Sequence, residues 1–155
     1  MNEAPILQPQ QLSFDTVALY QYIYKNAQLG MGCLGQLLEE YCDDELKNRL
    51  CGMHLGYTAM MRDAANALAK RGIRPIGLSA VEKLYSCLSI RFAKMKKDVP
   101  HAYMISTAIL HTTKSSIEAT KKKSLFSDAD EESKALMERL LRFEEASNRA
   151  LRALL

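Results

Sequence analysis

Residues 17–50 read VALYQYIYKNAQLGMGCLGQLLEEYCDDELKNRL, and their spacing decides the fold. Val17, Tyr20, Tyr24, Ala27, Met31, Leu34, Leu38 and Tyr41 recur at alternating steps of three and four, the pattern of a helix that buries one face in a bundle. This predicts a first helix over about 14–41, opened by Ser13 or Asp15 as its cap. The CDDEL that follows is a short polar break. In it Asp43 or Asp44 offers a carboxylate to the free amide hydrogens of a new first turn. Leu46, Leu50, Met53, Tyr57, Met60, Ala64 and Ala67 carry the second stripe to about residue 71. A connection this short forces the two long helices antiparallel.

Working outward, residues 1–12 hold Pro5, Pro9 and three glutamines and read as a flexible N-terminal tail. Gly72 and Pro75 close the second helix, the glycine in a left-handed cap and the proline forbidding continuation. SAVE, residues 79–82, is a capping box that opens a shorter third helix over about 80–97, with Val81, Leu84, Leu88, Phe92 and Met95 expected inward. Asp98 and Pro100 end it, and a fourth helix is expected over about 100–123. SLFSDADEE then breaks the chain before a fifth helix, about 129–154, with Leu136, Leu140, Phe143, Ser147, Leu151 and Leu154 inward. Four of these helices are near 25 residues, ~37 Å at 1.5 Å per residue. The predicted fold is therefore all-α: a four-helix bundle of two antiparallel hairpins, residues 13–155 forming one domain, with the shorter helix as a crossover between the hairpins.

Of 155 residues, 48% are hydrophobic and 25% charged, enough apolar material for a single core. The net charge of +3 lacks the clustered basic stripe of a dedicated nucleic-acid binder, so no specific nucleic acid is expected. The start, MNEAPILQPQQ, has no basic or apolar leader region, and no apolar run approaches the roughly 20 residues of a membrane span; a cytoplasmic protein without a membrane partner is expected. Cys33, Cys42, Cys51 and Cys87 show no zinc spacing and read as small core residues of a reducing compartment.

The DDELKNRL turn into the second helix, ALAKRGIRP at its close and ERLLRFEEASNRALRALL in the last helix carry a resemblance over residues 14–155. The chain resembles the small uncharacterised bacterial ferritin-like domains. The resemblance implies a ferritin-like bundle, and the chemistry of that family requires a Glu from each of two helices and a Glu-x-x-His from each of the other two. The first predicted helix has no carboxylate between Thr16 and Leu38, the second none between Leu46 and Arg62, and the fourth only Glu118. The fifth offers Glu144 and a near-motif, Glu145-x-x-Asn148, with asparagine where histidine belongs. A normal di-iron centre cannot be assembled from this set. The expectation is a non-enzymatic, self-associating scaffold or interaction protein without a cofactor, a homo-oligomer such as a dimer, with a protein partner the sequence does not identify.

Two alternatives rest on named residues. His54, His111, Glu144 and Cys33 fall in the central layer of the predicted bundle and form a donor set for a single zinc or iron ion. HTTKSS, residues 111–116, resembles the histidine-phosphotransfer motif, with His111 and Lys114 a turn apart and Ser115 in place of the usual glycine. That family places two substantial helices after its histidine, whereas one is predicted here. The competing reading of this polar stretch is a helix whose inner face is lined with small polar groups.

Other features have structural readings. KMKK at 94–97 and KKK at 121–123 lie at predicted helix C-termini, where cations meet the negative end of the dipole. The eight methionines fill an uneven core. Tyr20, Tyr22 and Tyr24 point in different directions around one helix. Gly30, Gly32, Gly35, Gly52 and Gly56 are costly inside helices, which predicts close approach of two backbones in the first hairpin or at a self-associating face.

Overall fold

The computed structural model describes residues 13–39, 43–84 and 101–155. Four long helices, α1 (Phe14–Leu38), α2 (Asp44–Lys70), α3 (His101–Leu125) and α4 (Glu131–Arg152), pack around one core, and a further helical turn begins at Ala80. No strand occurs among the described residues, and no helix among them is long and apolar enough to cross a membrane.

The helix starts follow from local chemistry. Asp43 accepts the Leu46 amide at 2.8 Å and Asp130 accepts the Ser133 amide at 2.8 Å, each satisfying an orphan donor of the first turn. Gly72, at φ 72°, ends α2 in the left-handed region. The predicted capping box forms reciprocally: Ser79 N–H donates to Glu82 Oε2 at 2.7 Å, and Glu82 N–H donates to Ser79 Oγ at 3.2 Å.

Contacts at the two ends fix the topology. At one end Asp130 N–H donates to Thr16 Oγ1 at 2.8 Å and Asp128 N–H to Asp15 Oδ2 at 3.0 Å, so the α3–α4 turn sits on the start of α1. Arg71, at the close of α2, joins the same end through Asp130 at 2.8 Å and Glu132 at 3.2 Å, with its guanidinium 4.9 Å over the Tyr20 ring. At the opposite end His101 Nε2 lies 3.1 Å from Asp43, placing the start of α3 beside the start of α2. Thus α2 and α3 run parallel, and the close of α2 and the start of α3 lie at opposite ends of the bundle. The first part of the chain between them is strapped to α1: Ile76 N–H donates to Gln21 Oε1 at 2.9 Å and Leu78 N–H to Gln28 Oε1 at 2.7 Å.

All seven predicted inward residues of α2 are buried, as are Leu136, Leu140, Ser147 and Leu151 of α4; Phe143 and Leu154 lie at the edge of the core. The buried face of α1 is displaced from its prediction. It centres on Leu19, Ile23, Gly30 and Leu37, while Val17, Tyr24, Met31 and Leu38 flank it. The cause is that α1 touches α2, α3 and α4 together, so its core face is wider than a single stripe. Val81 and Leu84, expected inward, are exposed; Leu88, Phe92 and Met95, together with Tyr41, Cys42, Cys87 and the KMKK run, lie outside the described residues. Cys33 is buried as expected, but Cys51 is exposed because it falls on the outer face of α2.

Two helix glycines accommodate rings rather than backbones, correcting the expected close approach. A Cβ on Gly30 would stand 2.6 Å from Tyr57 Cε2, and one on Gly56 would overlap the Phe143 ring. Tyr57 and Phe143 pack edge to face at 5.0 Å, so the ring against Gly30 has no room to retreat. Gly32 faces open space. Gly30→Ala is therefore expected to lower stability by about 1–3 kcal/mol through overpacking, outweighing its gain in helix propensity, whereas Gly32→Ala raises it by about 0.5–1 kcal/mol. Urea denaturation of the two variants separates these signs.

Candidate functional site

One residue or more from each helix meets at the middle of the bundle. Glu144 of α4 is fully buried, and around its carboxyl lie Asn26 Nδ2 of α1 at 2.9 Å, Tyr57 Oη of α2 at 3.1 Å, Ser115 Oγ of α3 in close contact, and Ser116 Oγ of α3 at 3.3 Å. Ser115 Oγ also lies 2.8 Å from Asn26 Oδ1. No lysine or arginine among the described residues forms an ion pair with Glu144.

The proton inventory of this cluster is informative. A serine hydroxyl carries one proton, yet Ser115 Oγ faces two acceptors, Asn26 Oδ1 and a Glu144 oxygen. With Glu144 ionised, one of those contacts sets oxygen against oxygen with no hydrogen between. A proton on Glu144 Oε1 would relieve that contact by donating to Ser115 Oγ, but the same oxygen would then have to accept from both Asn26 Nδ2 and Tyr57 Oη. Burial raises the Glu144 carboxyl above its ordinary 4.5, and the bonds from Ser115, Asn26, Tyr57 and Ser116 pull it only part of the way back. Burial, followed by the charge of Glu144 and the bond to it, likewise raises the Tyr57 phenol well above 10.0.

The polar stretch of α3 finds its use here. Ser115 and Ser116 serve Glu144, while Thr112 and Thr113 accept from Asn148 Nδ2 at 3.1 and 2.6 Å. Asn148 Oδ1 accepts from Arg152 at 2.7 Å, so the asparagine standing where a histidine ligand would belong is committed to hydrogen bonds. Its neighbour Glu145 is exposed. The hydroxyls of α3 thus face the polar residues of α4, as expected of an inner face lined with small polar groups.

Beside this cluster a cleft of about 450 Å³ opens between α1 and α3. Its floor includes Asn26 and Ser115, its walls are mostly apolar, and His111 and Lys114 stand on the α3 side. Burial, and then the charge of Lys114, push His111 from 6.5 down to about 4, so its imidazole is neutral. His111 Nε2 is buried without a hydrogen-bond partner.

The residues proposed for a single metal ion are not gathered. Glu144 is held in the hydrogen-bonded cluster, Cys33 is buried in the α1 seam, His111 lines the cleft, and His54 is half-buried on α2. No group of three or more His, Cys, Asp or Glu side chains able to hold a metal ion occurs among the described residues. The physical reason is that Glu144 directs its carboxyl at Asn26, Tyr57 and the α3 serines rather than at an imidazole. The phosphotransfer reading meets a related obstacle, because a histidine that exchanges a phosphoryl group between proteins must present its nitrogen to solvent, and His111 Nε2 is closed off. Sequence reasoning missed Asn26 and Tyr57 as partners of Glu144. The signal was present as an asparagine within the apolar face of the first helix.

Compared with known proteins, the chain matches no family model, no curated protein and no solved structure.

The two perturbed groups act oppositely on stability. Folded Glu144 keeps a proton that the unfolded chain releases near 4.5, so stability falls as pH rises from about 4.5 through the raised value. Folded His111 resists a proton that the unfolded chain accepts, so stability falls as pH drops from 6.5 to about 4, by about 1–3 kcal/mol for a partly exposed ring. Glu144→Gln keeps an acceptor oxygen but cannot titrate; it is expected to flatten the loss on the alkaline side, and His111→Leu the loss on the acid side. Urea midpoints measured across the range check both.

Proposed function

We propose that this protein is a non-enzymatic, ferritin-like helical bundle that works as a self-associating scaffold, two copies pairing through the outer face of α3. The ferritin-like part of the reading is supported by the chain path, two antiparallel hairpins with one long crossover that makes α2 and α3 parallel. The non-enzymatic part is supported by the commitment of Glu144 to Asn26, Tyr57, Ser115 and Ser116, which leaves the one buried carboxyl of the described core occupied.

The observation that carries self-association is a second stripe on α3. Tyr103, Leu110 and Ile117, seven residues apart, lie on one line of the helix and are 45%, 66% and 52% exposed. Their line runs opposite the buried Met104, Ala108, Thr112, Ser115 and Ala119. At steps of three and four from them come the exposed Ser106 and Thr120, and Thr113, which is half-buried with its hydroxyl bonded to Asn148 where this stripe borders α4. Large apolar residues therefore occupy the a-type positions of this outer heptad and small hydroxyl residues the d-type positions. When two such helices pair antiparallel about a two-fold axis, each a-type residue meets a d-type residue of the other copy, large against small. The stripe is complementary to itself.

Light scattering coupled to gel filtration tests this directly. The expected mass is twice the 17.5 kDa of one chain. Replacing Leu110 and Ile117 together by glutamate, both at exposed positions, is expected to give a monomer with unchanged helical circular dichroism. A wild-type protein that stays monomeric at millimolar concentration, or an oligomer indifferent to the double replacement, overturns the proposal.

A further inference from the structure

The cleft between α1 and α3 has no role in the scaffold reading, yet its construction is specific. Each helix contributes residues at helical spacing: Tyr22, Asn26 and Leu29 from α1, and His111, Lys114 and Ser115 from α3. Leu78 closes a third side, held in place because its amide is bonded to Gln28 of α1. A volume of about 450 Å³ lies in the range of small-molecule sites, which are commonly apolar with a few placed polar groups.

The charges at the mouth are not equivalent. Glu82 is 3.4 Å from Lys25 and also accepts from the Ser79 amide, so both members of that pair are engaged. Glu118 is engaged by Lys121 at 2.8 Å. Lys114 forms no ion pair among the described residues, which leaves one positive charge over the cleft. One turn before it on the same helix is His111, also a lining residue, whose Nε2 is buried without a partner. A buried polar nitrogen left unsatisfied beside a cavity marks a place where a ligand atom completes the hydrogen bonding. His111 and Lys114 both line the cleft one turn apart, so an imidazole N–H and the Lys114 ammonium can serve as a pair of donors for two oxygens.

We propose that the α1–α3 cleft binds a small amphipathic monocarboxylate, its apolar body between Tyr22, Leu29 and Leu78 and its carboxylate on His111 and Lys114. The combination excludes other simple classes. A dianion or polyphosphate finds only one unengaged cation, and a cationic ligand meets Lys114 with both nearby carboxylates already paired. A purely apolar ligand leaves His111 Nε2 unsatisfied.

The probe is 2-naphthoate, with uncharged 2-naphthamide as its near-isosteric control. Because the chain contains no tryptophan, naphthoate fluorescence is read without interference. Saturable binding of 2-naphthoate to the wild-type protein at a ratio of one per chain is expected, with the amide at least ten-fold weaker. Lys114→Glu, an exposed substitution that leaves the fold intact, is expected to weaken naphthoate at least ten-fold and to leave the amide nearly unchanged. Leu29→Phe, which narrows the cleft without adding an indole, is expected to weaken binding of both at least ten-fold. The Leu110/Ile117 double-glutamate protein is expected to bind as the wild type does, separating the cleft from the outer stripe of α3. Absence of saturable naphthoate binding, equal affinity for the amide, or undiminished binding by the Lys114→Glu protein would each overturn the proposal.

Discussion

The carboxyl of Glu144 is the point at which the four helices are tied to one another. Asn26, Tyr57, Ser115 and Ser116 approach it from α1, α2 and α3, and each is hydrogen-bonded to it. Apolar contacts tolerate sliding of one helix along another, because one methyl group serves nearly as well as the next. A hydrogen-bonded cluster does not, since a shift of one turn strands several buried polar groups at roughly 1–3 kcal/mol each. The cluster therefore sets the register of the bundle even where it adds little net stability. Burial raises the Glu144 carboxyl above its ordinary value, and the four hydrogen bonds to it offset part of that cost.

Packing around the cluster follows from holding Tyr57 in place. With its hydroxyl on Glu144, the ring must lie against α1, and Gly30 is the residue that makes room for it. Phe143 then closes the ring from the α4 side, and Gly56 makes room for Phe143 in turn. The bundle ends are fixed by different means. Arg71, Asp130 and Thr16 hold one end together by charge-assisted and capping bonds, while Gln21 and Gln28 hold the start of the crossover on α1. That strap keeps Leu78 at the side of α1, so the gap between α1 and α3 persists as a walled cleft instead of collapsing.

The sequence made the element order and the caps legible because those depend on neighbours within four residues. Asp43, Gly72 and the Ser79–Glu82 pair act through bonds that short-range spacing reveals. The buried set of α2 was equally clear, since its single stripe has no competitor. The face of α1 was less legible: Tyr24 and Met31 look as apolar as Ile23 and Cys33, and only contact with three neighbouring helices chooses between them. The site was least legible. Nothing local tells that Asn26 lies within hydrogen-bond reach of a glutamate 118 residues away, or that Asn148 would be spent on the α3 threonines. Counting carboxylates argued against a di-iron arrangement from the sequence, but placing the remaining donors required the packing.

Helix α3 is the unusual member of the set, because beside its buried Met104, Ile105, Ala108 and Ala119 it turns Thr112 and Ser115 toward the core and leaves Tyr103, Leu110 and Ile117 exposed. Its inner polar residues are accounted for one by one by Glu144 and Asn148. Its outer Leu110 and Ile117 have no such account among the described residues. Burying a leucine contributes roughly 1.5–3 kcal/mol, and a helix that leaves that stabilisation unused on its outside while placing serine and threonine inside is poorly suited to a lone bundle. The same inversion suits a helix with two packing partners. A polar inner seam fixes its register against α4 by directed bonds, and an apolar outer seam remains for an association driven by burial. On the self-association reading the two faces divide the work that a conventional amphipathic helix performs with one, which explains why the polar stretch of α3 is tolerated in the core.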